Sequence, residues 1–174
     1  LSYMQVARVD TSSSKHARIR SWMVALAKKT RSYYDTLDQH WRSNNNNHRY
    51  WAGLAVAAGG LQNGDRSLLD WGVGSYRRGM CSVTGAGTLP TEVERGALAL
   101  HYQMFALQPL VLLNEIALRN GVSDPGGSCP GAALHRLVQF SLAAHENPAL
   151  MAAEAGVTQD TSSLYGSSMT STLS

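Results

Sequence analysis

Two short polar clusters hold the side chains of this 174-residue chain that are best suited to chemistry. The first, Asn46-Asn47-His48-Arg49-Tyr50-Trp51, lies at the predicted start of a helix. A helix N-terminus presents free N–H groups and the positive end of the helix dipole, so it favours anions. Asparagine amides there could bind a carboxylate, and His48 would be a nearby base. Composition alone favours a plainer interpretation, in which Asn47 caps the helix, His48 is a surface residue and Trp51 belongs to the core.

The second cluster runs from Arg95 to Tyr102, and its two ends are seven residues apart. On a helix this spacing is two turns, so both side chains would share one face. A guanidinium can bind a carboxylate through two parallel hydrogen bonds, and a cation beside a phenol favours the tyrosinate. The plainer alternative is an arginine that extends to solvent from a core helix in which the tyrosine is packed. Taken alone, this cluster also favours the plainer alternative.

Other kinds of site find little support in the sequence. Glu92 and Glu94 are two residues apart and would not face each other on a helix, so we expect them to complement the helix dipole rather than form an acid–base pair. The six histidines match no zinc-binding spacing, and the chain has neither a phosphate-binding glycine loop nor a nucleophile elbow. We therefore expect no metal and no cofactor.

Composition limits the possible partners. A net charge of +3 fits a groove for a polyanion or an ordinary basic surface, but lysine and arginine form no dense stripe, so we expect no nucleic acid. The longest apolar runs, such as Leu110–Leu113, are too short to span a membrane, and no leader peptide is visible. Cys81 and Cys129 both fall in predicted loops, where they could form a disulfide or remain free thiols. The oligomeric state stays open.

The periodicity of the apolar residues predicts an all-α protein. Helices are expected over residues 15–40, 50–61, 65–80, 91–121 and 132–145, with a short helix to residue 155. Gly72 and Gly74 weaken the third helix, and the capping box Thr91-x-x-Glu94 would begin the fourth. No alternating pattern long enough for a sheet is present, so helix pairs joined by loops are the predicted architecture.

The two clusters become more informative together with the segment between them. In order, the motifs are Asn46-Asn47-His48-x-Tyr50-Trp51, Leu89-Pro90-x-Glu92 and Arg95-x6-Tyr102 followed by Phe105-Ala106-Leu107. In this order and with these internal spacings they resemble the mannuronate-specific alginate lyases of polysaccharide lyase family five. The resemblance is good over residues 1–121 and looser as far as Gln159.

This resemblance implies an (α/α) toroid, an incomplete barrel in which helix pairs curve around a deep cleft. Family members are considerably longer, and nothing in this chain matches the N-terminal region that supplies their lid. Residues 161–174 also cease to resemble the family. We therefore expect a fragment of the toroid, with a partial lyase domain at residues 1–160 and a polar C-terminal tail at residues 161–174.

The activity implied by the resemblance is that of a poly(β-D-mannuronate) lyase. Such an enzyme cleaves the 1,4-glycosidic bond of mannuronate-rich alginate by β-elimination, without water or a metal. Carried over position by position, Asn47 and Arg95 would neutralise the uronate carboxylate, and His48 and Tyr102 would handle the protons. Whether the histidine or the tyrosine is the base stays open, as does the preferred uronate polymer.

The resemblance also implies residues around the reacting groups. Trp51 and Tyr50 would line or support the cleft, and Asn46 would join them as a substrate-binding residue. The partner would be an acidic polysaccharide, and similar bacterial lyases are exported, which implies a periplasmic or secreted protein. The alternative is a non-catalytic remnant that binds acidic polysaccharide through Asn47 and Arg95 but cleaves nothing. A helical-toroid glycoside hydrolase needs two opposed carboxylic acids, and the sequence shows no such pair.

Overall fold

The structure, a computed structural model, describes residues 14–162 and residue 164. Within this part of the chain all regular structure is helical, which confirms the all-α prediction. Two 3-10 turns, Arg42–Asn44 and Gly96–Leu98, precede the second and fifth α-helices. The α-helices are α1 (Ser14–Thr36), α2 (Asn47–Gln62), α3 (Arg66–Ser82), α4 (Pro90–Val93), α5 (Ala99–Arg119), α6 (Ala133–Glu146) and α7 (Ala149–Ala155).

Helix α5 is central, because α2, α3, α4 and α6 all pack against it. Its residues Leu107, Leu110 and Leu113 recur at helical spacing and are buried in one cluster with Tyr50 of α2. By length and composition alone, the segment 96–119 is apolar enough to cross a membrane. In this fold, however, the apolar residues of α5 build the main core, and the functional clusters lie at the N-terminal ends of α2 and α5.

Glycine allows α2 and α3 to pack closely. A Cβ atom added to Gly72 of α3 would lie 2.6 Å from the Ala57 Cβ atom and 2.7 Å from the Gly53 carbonyl oxygen, both on α2. A Cβ atom added to Gly74 would meet nothing within 4 Å. Helix α3 continues through both glycines. The close approach of α2 therefore accounts for Gly72, whereas nothing in the packing requires Gly74.

The predicted helix over residues 91–121 is wrong as a single element. Pro90 begins α4, and Gly96 has a φ of 60°, a left-handed conformation that interrupts the helical run before α5. The predicted capping box is wrong as well, because Leu89 is the N-cap of α4. The Thr91 hydroxyl instead donates a hydrogen bond to the Asn45 carbonyl at 2.9 Å, which attaches α4 to the chain before α2.

A disulfide between Cys81 and Cys129 joins the last turn of α3 to the loop before α6. Of the two alternatives that the sequence left open, the structure therefore has the paired one. Cys129 lies in a loop, as predicted, but the loop predicted for Cys81 is wrong, because α3 extends to Ser82. The bond connects segments that are 48 residues apart in the chain.

The chain returns to the start of α5 after α7. The Gln159 side chain accepts a hydrogen bond from the Leu100 backbone N–H at 2.9 Å and donates one to the Gly96 carbonyl at 3.1 Å. The Asp160 backbone N–H donates to the Ala97 carbonyl at 2.7 Å. Most of the predicted polar tail, residues 161–174, lies outside the described residues, so the division of the chain at residue 160 stays a prediction.

Candidate active site

The run of asparagines ends the loop before α2 and caps that helix. Asn46 is the N-cap, and its Oδ1 atom accepts a hydrogen bond from the His48 backbone N–H at 3.0 Å. The plainer interpretation, in which Asn47 caps the helix, is therefore wrong. Asn47 is the first residue of α2, where its backbone N–H has no partner within the helix and can bond to another group.

A buried carboxylate from α4 meets the start of α2. Glu92 is 0% exposed, and its Oε1 accepts hydrogen bonds from the backbone N–H of Asn47 at 2.7 Å and from its Nδ2 at 3.2 Å. The second oxygen, Oε2, accepts from the same Nδ2 at 3.0 Å. We expected Glu92 only to complement a helix dipole. The structure shows that its carboxylate also accepts a hydrogen bond from the free backbone N–H at the N-terminus of α2. Its place in the motif Leu89-Pro90-x-Glu92 was the signal that could have identified it.

Arg95 links Glu92 to Tyr102. Its Nε atom lies 3.8 Å from Glu92 Oε2, and its Cζ atom lies 4.5 Å from the centre of the Tyr102 ring. The reason predicted for this proximity is wrong, because the 3-10 turn at Gly96–Leu98 separates Arg95 from α5 and the two residues do not share one helix. Asn47, Glu92, Arg95 and Tyr102 nevertheless form one continuous series of contacts.

Burial dominates the electrostatics of Glu92. It raises the pKa of this carboxyl, because a charge is poorly solvated in the protein interior. The hydrogen bonds from Asn47, the Arg95 guanidinium and a positively charged His48 each oppose that effect. His48 itself is exposed beside Asn47, so an imidazole faces solvent next to the buried carboxylate.

Aromatic rings continue from Tyr102 along the surface. His101 meets Tyr102 edge-on with 5.2 Å between ring centres, and Phe105 is stacked on His101 at 6.3 Å. The Trp51 ring follows, 5.1 Å from Phe105. Phe105 is 38% exposed and Trp51 is half-buried, so this series offers apolar area for a sugar ring. The contact of Trp51 with substrate stays a prediction, and His101 is a neighbour that the sequence analysis did not select.

Two of the predicted substrate-binding residues are interior. Tyr50 is 0% exposed, and its hydroxyl donates to the Asn45 carbonyl at 3.2 Å, while burial raises the pKa of the phenol. Asn46 is 1% exposed and is occupied as the N-cap of α2. We expected Tyr50 to line or support the cleft and Asn46 to bind substrate. Their burial favours a supporting position for both, and contact of either residue with substrate stays a prediction.

Arg49 fixes the start of α2 against α3, and sequence reasoning missed it. Its Nε donates to Ser75 Oγ at 2.8 Å, its Nη1 donates to Asn44 Oδ1 at 2.9 Å, and its guanidinium lies 3.8 Å from the centre of the Trp71 ring. Burial, assisted by the nearby charge of Arg78, lowers the pKa of Arg49 to about 10. The arginine still carries its charge at neutral pH, and it holds the residues just before Asn47.

The resulting arrangement can bind an anion and move protons. An amide, a guanidinium and a phenol occur along one series of contacts, from Asn47 through Glu92 and Arg95 to Tyr102. The exposed His48 follows Asn47 in the chain and acts on Glu92 through its charge. Guanidinium and amide groups recognise carboxylates, and imidazole and phenol groups act as acids and bases. Over residues 14–162 and 164, no three histidine, cysteine or carboxylate side chains come together as a metal site.

Comparison with known protein families finds one that matches most of this chain. Residues 1–151 match the alginate lyase family. A polysaccharide lyase from Stenotrophomonas maltophilia is 36% identical over 121 residues, which are 70% of this chain and 35% of that protein. An alginate lyase from Azotobacter vinelandii is 37% identical over 139 residues, which are 80% of this chain and 36% of that protein. The chain therefore belongs to the alginate lyase family, and it spans about a third of the length of these relatives.

Solved structures show the same relationship. Alginate lyase A1-III from Sphingomonas species A1 is 30% identical, with a TM-score of 0.73 over 85% of this chain and 41% of that chain. A histidine-to-alanine variant of alginate lyase A1-III complexed with a tetrasaccharide is 29% identical, with a TM-score of 0.74 and the same coverage. These lyases have the (α/α) toroid fold, so the predicted fold class and the predicted family are both confirmed.

Proposed function

We propose that this chain carries the catalytic centre of a lyase that cleaves the 1,4-glycosidic bond of mannuronate-rich alginate by β-elimination. The observation that carries the proposal is the continuous contact from Asn47 through Glu92 and Arg95 to Tyr102, with His48 beside Asn47. Membership of the alginate lyase family supports the polymer, and the tetrasaccharide complex of the A1-III variant supports a saccharide ligand.

Arg95 and Asn47 bind the uronate carboxylate in this proposal. The C5 proton of a uronate is only weakly acidic, because the neighbouring carboxylate is already negative. A guanidinium and an amide on that carboxylate stabilise the extra charge that develops as the proton leaves. One well-placed donor of this kind is typically worth ~3–4 kcal/mol of transition-state stabilisation. The neutral Asn47 amide adds directional hydrogen bonding, and Arg95 adds charge.

Tyr102 and His48 handle the protons. In mannuronate the C5 hydrogen and the C4 oxygen lie on the same face of the ring, so one side chain can take the first proton and return it to the departing oxygen. Tyr102 suits that role, since Arg95 fixes its ring from one side. His48 either removes the C5 proton itself or keeps Tyr102 ionised. In the second case His48→Ala regains activity at alkaline pH, where a phenol ionises without help.

The test is the ultraviolet absorbance of the C4–C5 double bond that β-elimination creates. With mannuronate-rich alginate, the wild-type chain should gain this absorbance, and His48→Ala, Arg95→Ala and Tyr102→Phe should each lose nearly all of it. Arg119→Ala is the control, because Arg119 is exposed at the far end of α5 and pairs with Glu115 in the same helix. Wild-type rates in all three site variants would overturn the proposal. Binding of oligomannuronate without any unsaturated product would favour the non-catalytic polysaccharide binder instead.

The proposed location is the periplasm or the exterior of the cell. The Cys81–Cys129 disulfide supports it, because disulfides persist in oxidising compartments and are rare in the reducing cytosol. Cell fractionation under thiol-blocking conditions tests this proposal. The native protein should be found in the periplasmic or secreted fraction with both cysteines oxidised, whereas a cytosolic protein with two free thiols would contradict it.

A further inference from the structure

The orientation of the Asn47 amide conflicts with its proposed role as a donor to the substrate. Its Nδ2 donates to both oxygens of Glu92, at 3.2 Å and 3.0 Å. Its Oδ1 is buried and accepts no hydrogen bond from any residue that the structure describes. A carbonyl oxygen only accepts hydrogen bonds, so in this orientation Asn47 cannot donate to a uronate carboxylate. The buried acceptor without a partner also costs free energy, and a second orientation of the amide would remove that cost.

We propose that Glu92 is a positioning residue that takes up one proton when the uronate carboxylate binds, and thereby turns the Asn47 amide towards the substrate. The inference rests on the proposed function. The proton comes from solvent and adds to Glu92 Oε2. The new O–H group donates to Asn47 Oδ1, and Nδ2 is released to donate to the substrate. When the product leaves, the proton returns to solvent and the amide turns back.

The shorter of the two amide contacts suits both orientations, whereas the longer one, from Nδ2 to Glu92 Oε1 at 3.2 Å, is given up when the amide turns. Amide oxygen and nitrogen atoms have nearly the same size and reach, so the 3.0 Å contact at Glu92 Oε2 serves an N–H donor or a carbonyl acceptor equally. The 2.7 Å hydrogen bond from the Asn47 backbone N–H to Oε1 is kept in both states. The proton therefore changes one side-chain orientation and leaves the attachment of α4 to α2 intact.

The charged and titratable groups around Glu92 favour protonation when an anion arrives. Burial already raises the pKa of this carboxyl, while Arg95 and a charged His48 from α2 lower it to a lesser extent. Tyr50, also on α2, is a neutral phenol whose pKa is itself raised by burial and, to a lesser extent, by Glu92. A substrate carboxylate placed between Asn47 and Arg95 adds a like charge, which favours the protonated form of Glu92 further.

The contrasting interpretation is that Glu92 acts only as an ionised anchor for Arg95. Arg95 Nε lies 3.8 Å from Glu92 Oε2, which is too long for a hydrogen bond, and within residues 14–162 and 164 this Nε has no hydrogen-bond partner. The anchor interpretation needs a negative charge at position 92, whereas the proton-uptake interpretation needs a donor facing Asn47 Oδ1. A glutamine at position 92 supplies the donor and removes the charge. Glu92→Gln should therefore keep its function if the proton-uptake interpretation is right and lose it if the anchor interpretation is right.

The first experiment compares Glu92→Gln with the wild-type chain in the ultraviolet lyase assay as a function of pH. The glutamine Oε1 can accept from the Asn47 backbone N–H, and its NH₂ group can donate to Asn47 Oδ1, as the protonated glutamate would. We expect the variant to keep KM within about threefold of wild type at acidic pH. As the pH rises, the wild-type KM should increase about tenfold per pH unit once Glu92 deprotonates, and the variant should lack this increase. Glu94→Gln, an exposed neighbour that pairs with Arg42, should keep the wild-type profile.

The second experiment measures proton uptake without turnover. Calorimetric titration of Tyr102→Phe with a mannuronate oligosaccharide, in two buffers of different ionisation enthalpy, should show about one proton taken up per bound ligand. Adding Glu92→Gln to this background should abolish the uptake and retain binding. A 100-fold loss of kcat/KM in Glu92→Gln at every pH, or binding without proton uptake while Glu92 is present, would overturn the inference. Failure of the wild-type chain both to bind oligomannuronate and to form unsaturated product would instead overturn the proposed function, and this inference with it.

Discussion

The guanidinium carbon of Arg95 lies 4.5 Å from the centre of the Tyr102 ring. A cation over the face of an aromatic ring is attracted by the ring quadrupole, so the contact orients both side chains. The same arginine approaches Glu92 at 3.8 Å, and Glu92 is bonded to Asn47. One planar side chain thus connects the end of the site that is proposed to bind the carboxylate with the phenol that is proposed to move the proton.

Replacing Arg95 by lysine tests whether the shape of this cation matters as well as its charge. Lysine keeps the positive charge but loses the flat face that stacks on Tyr102 and the paired N–H groups that suit a carboxylate. We expect Arg95→Lys to lower kcat/KM by a factor of about 100, close to the loss of one well-placed donor. Initial rates of unsaturated product formation measure the effect, with Arg119→Lys as the matched control. An Arg95→Lys rate within threefold of wild type would contradict a specific role for the guanidinium.

The positions of most helices could be predicted, because the spacing of apolar residues is a local signal. Helices α2, α3 and α6 fall within a few residues of the predicted segments. The break between α4 and α5 was missed because Gly96 adopts a left-handed conformation that the apolar pattern does not record. The same break separates Arg95 from the helix that carries Tyr102, and the two side chains still meet across it.

The candidate site was predictable in its motifs but not in its central carboxylate. Asn47 and Arg95 stood out because amides and guanidinium groups at marked spacings suggest anion binding. Glu92 and Arg49 were missed because charged residues are expected at the surface unless they are paired. Their partners come from elsewhere in the chain, Asn47 being 45 residues before Glu92 and Ser75 being 26 residues after Arg49. Local spacing does not show these pairings, and the one signal for Glu92 was its place in the motif Leu89-Pro90-x-Glu92.

Two glycines of α3 should respond in opposite directions to the same substitution. Gly72→Ala places a methyl group 2.6 Å from the Ala57 Cβ atom and 2.7 Å from the Gly53 carbonyl, so α2 and α3 must move apart. We expect it to lower the free energy of unfolding by about 1–3 kcal/mol. The methyl group of Gly74→Ala has no described atom within 4 Å outside its own helix backbone and chain neighbours, so this substitution should raise the free energy of unfolding by about 0.5–1 kcal/mol. Urea unfolding measures both, and a stabilising Gly72→Ala would contradict the close helix packing.

The disulfide should account for a large share of the stability. Cys81 and Cys129 close a loop over 48 residues, and the chain-entropy estimate for such a loop is about 4 kcal/mol. The double variant Cys81→Ser with Cys129→Ser should therefore unfold at a much lower urea concentration than the oxidised chain. Reduced wild-type chain is the matched control and should approach the double variant. If the unfolding free energies of the oxidised chain and the double variant differ by less than about 1 kcal/mol, the bond constrains the unfolded chain little.

The stability of the fold should decrease with rising pH through Glu92. Burial raises the pKa of this carboxyl in the folded chain, so the folded state holds a proton at pH values where the unfolded state has released it. The resulting stabilisation is complete below the ordinary glutamate range and is lost as the pH rises through the raised pKa. Urea unfolding at a series of pH values would measure this effect in the wild-type chain and in Glu92→Gln, in which the glutamine does not titrate. The unfolding free energy of the wild-type chain minus that of the variant should fall as the pH rises from the ordinary glutamate range through the raised pKa. Glu94→Gln, at an exposed position two residues away, is the matched control. A Glu92 difference that rises with pH would mean that the Asn47 hydrogen bonds and the Arg95 charge outweigh burial.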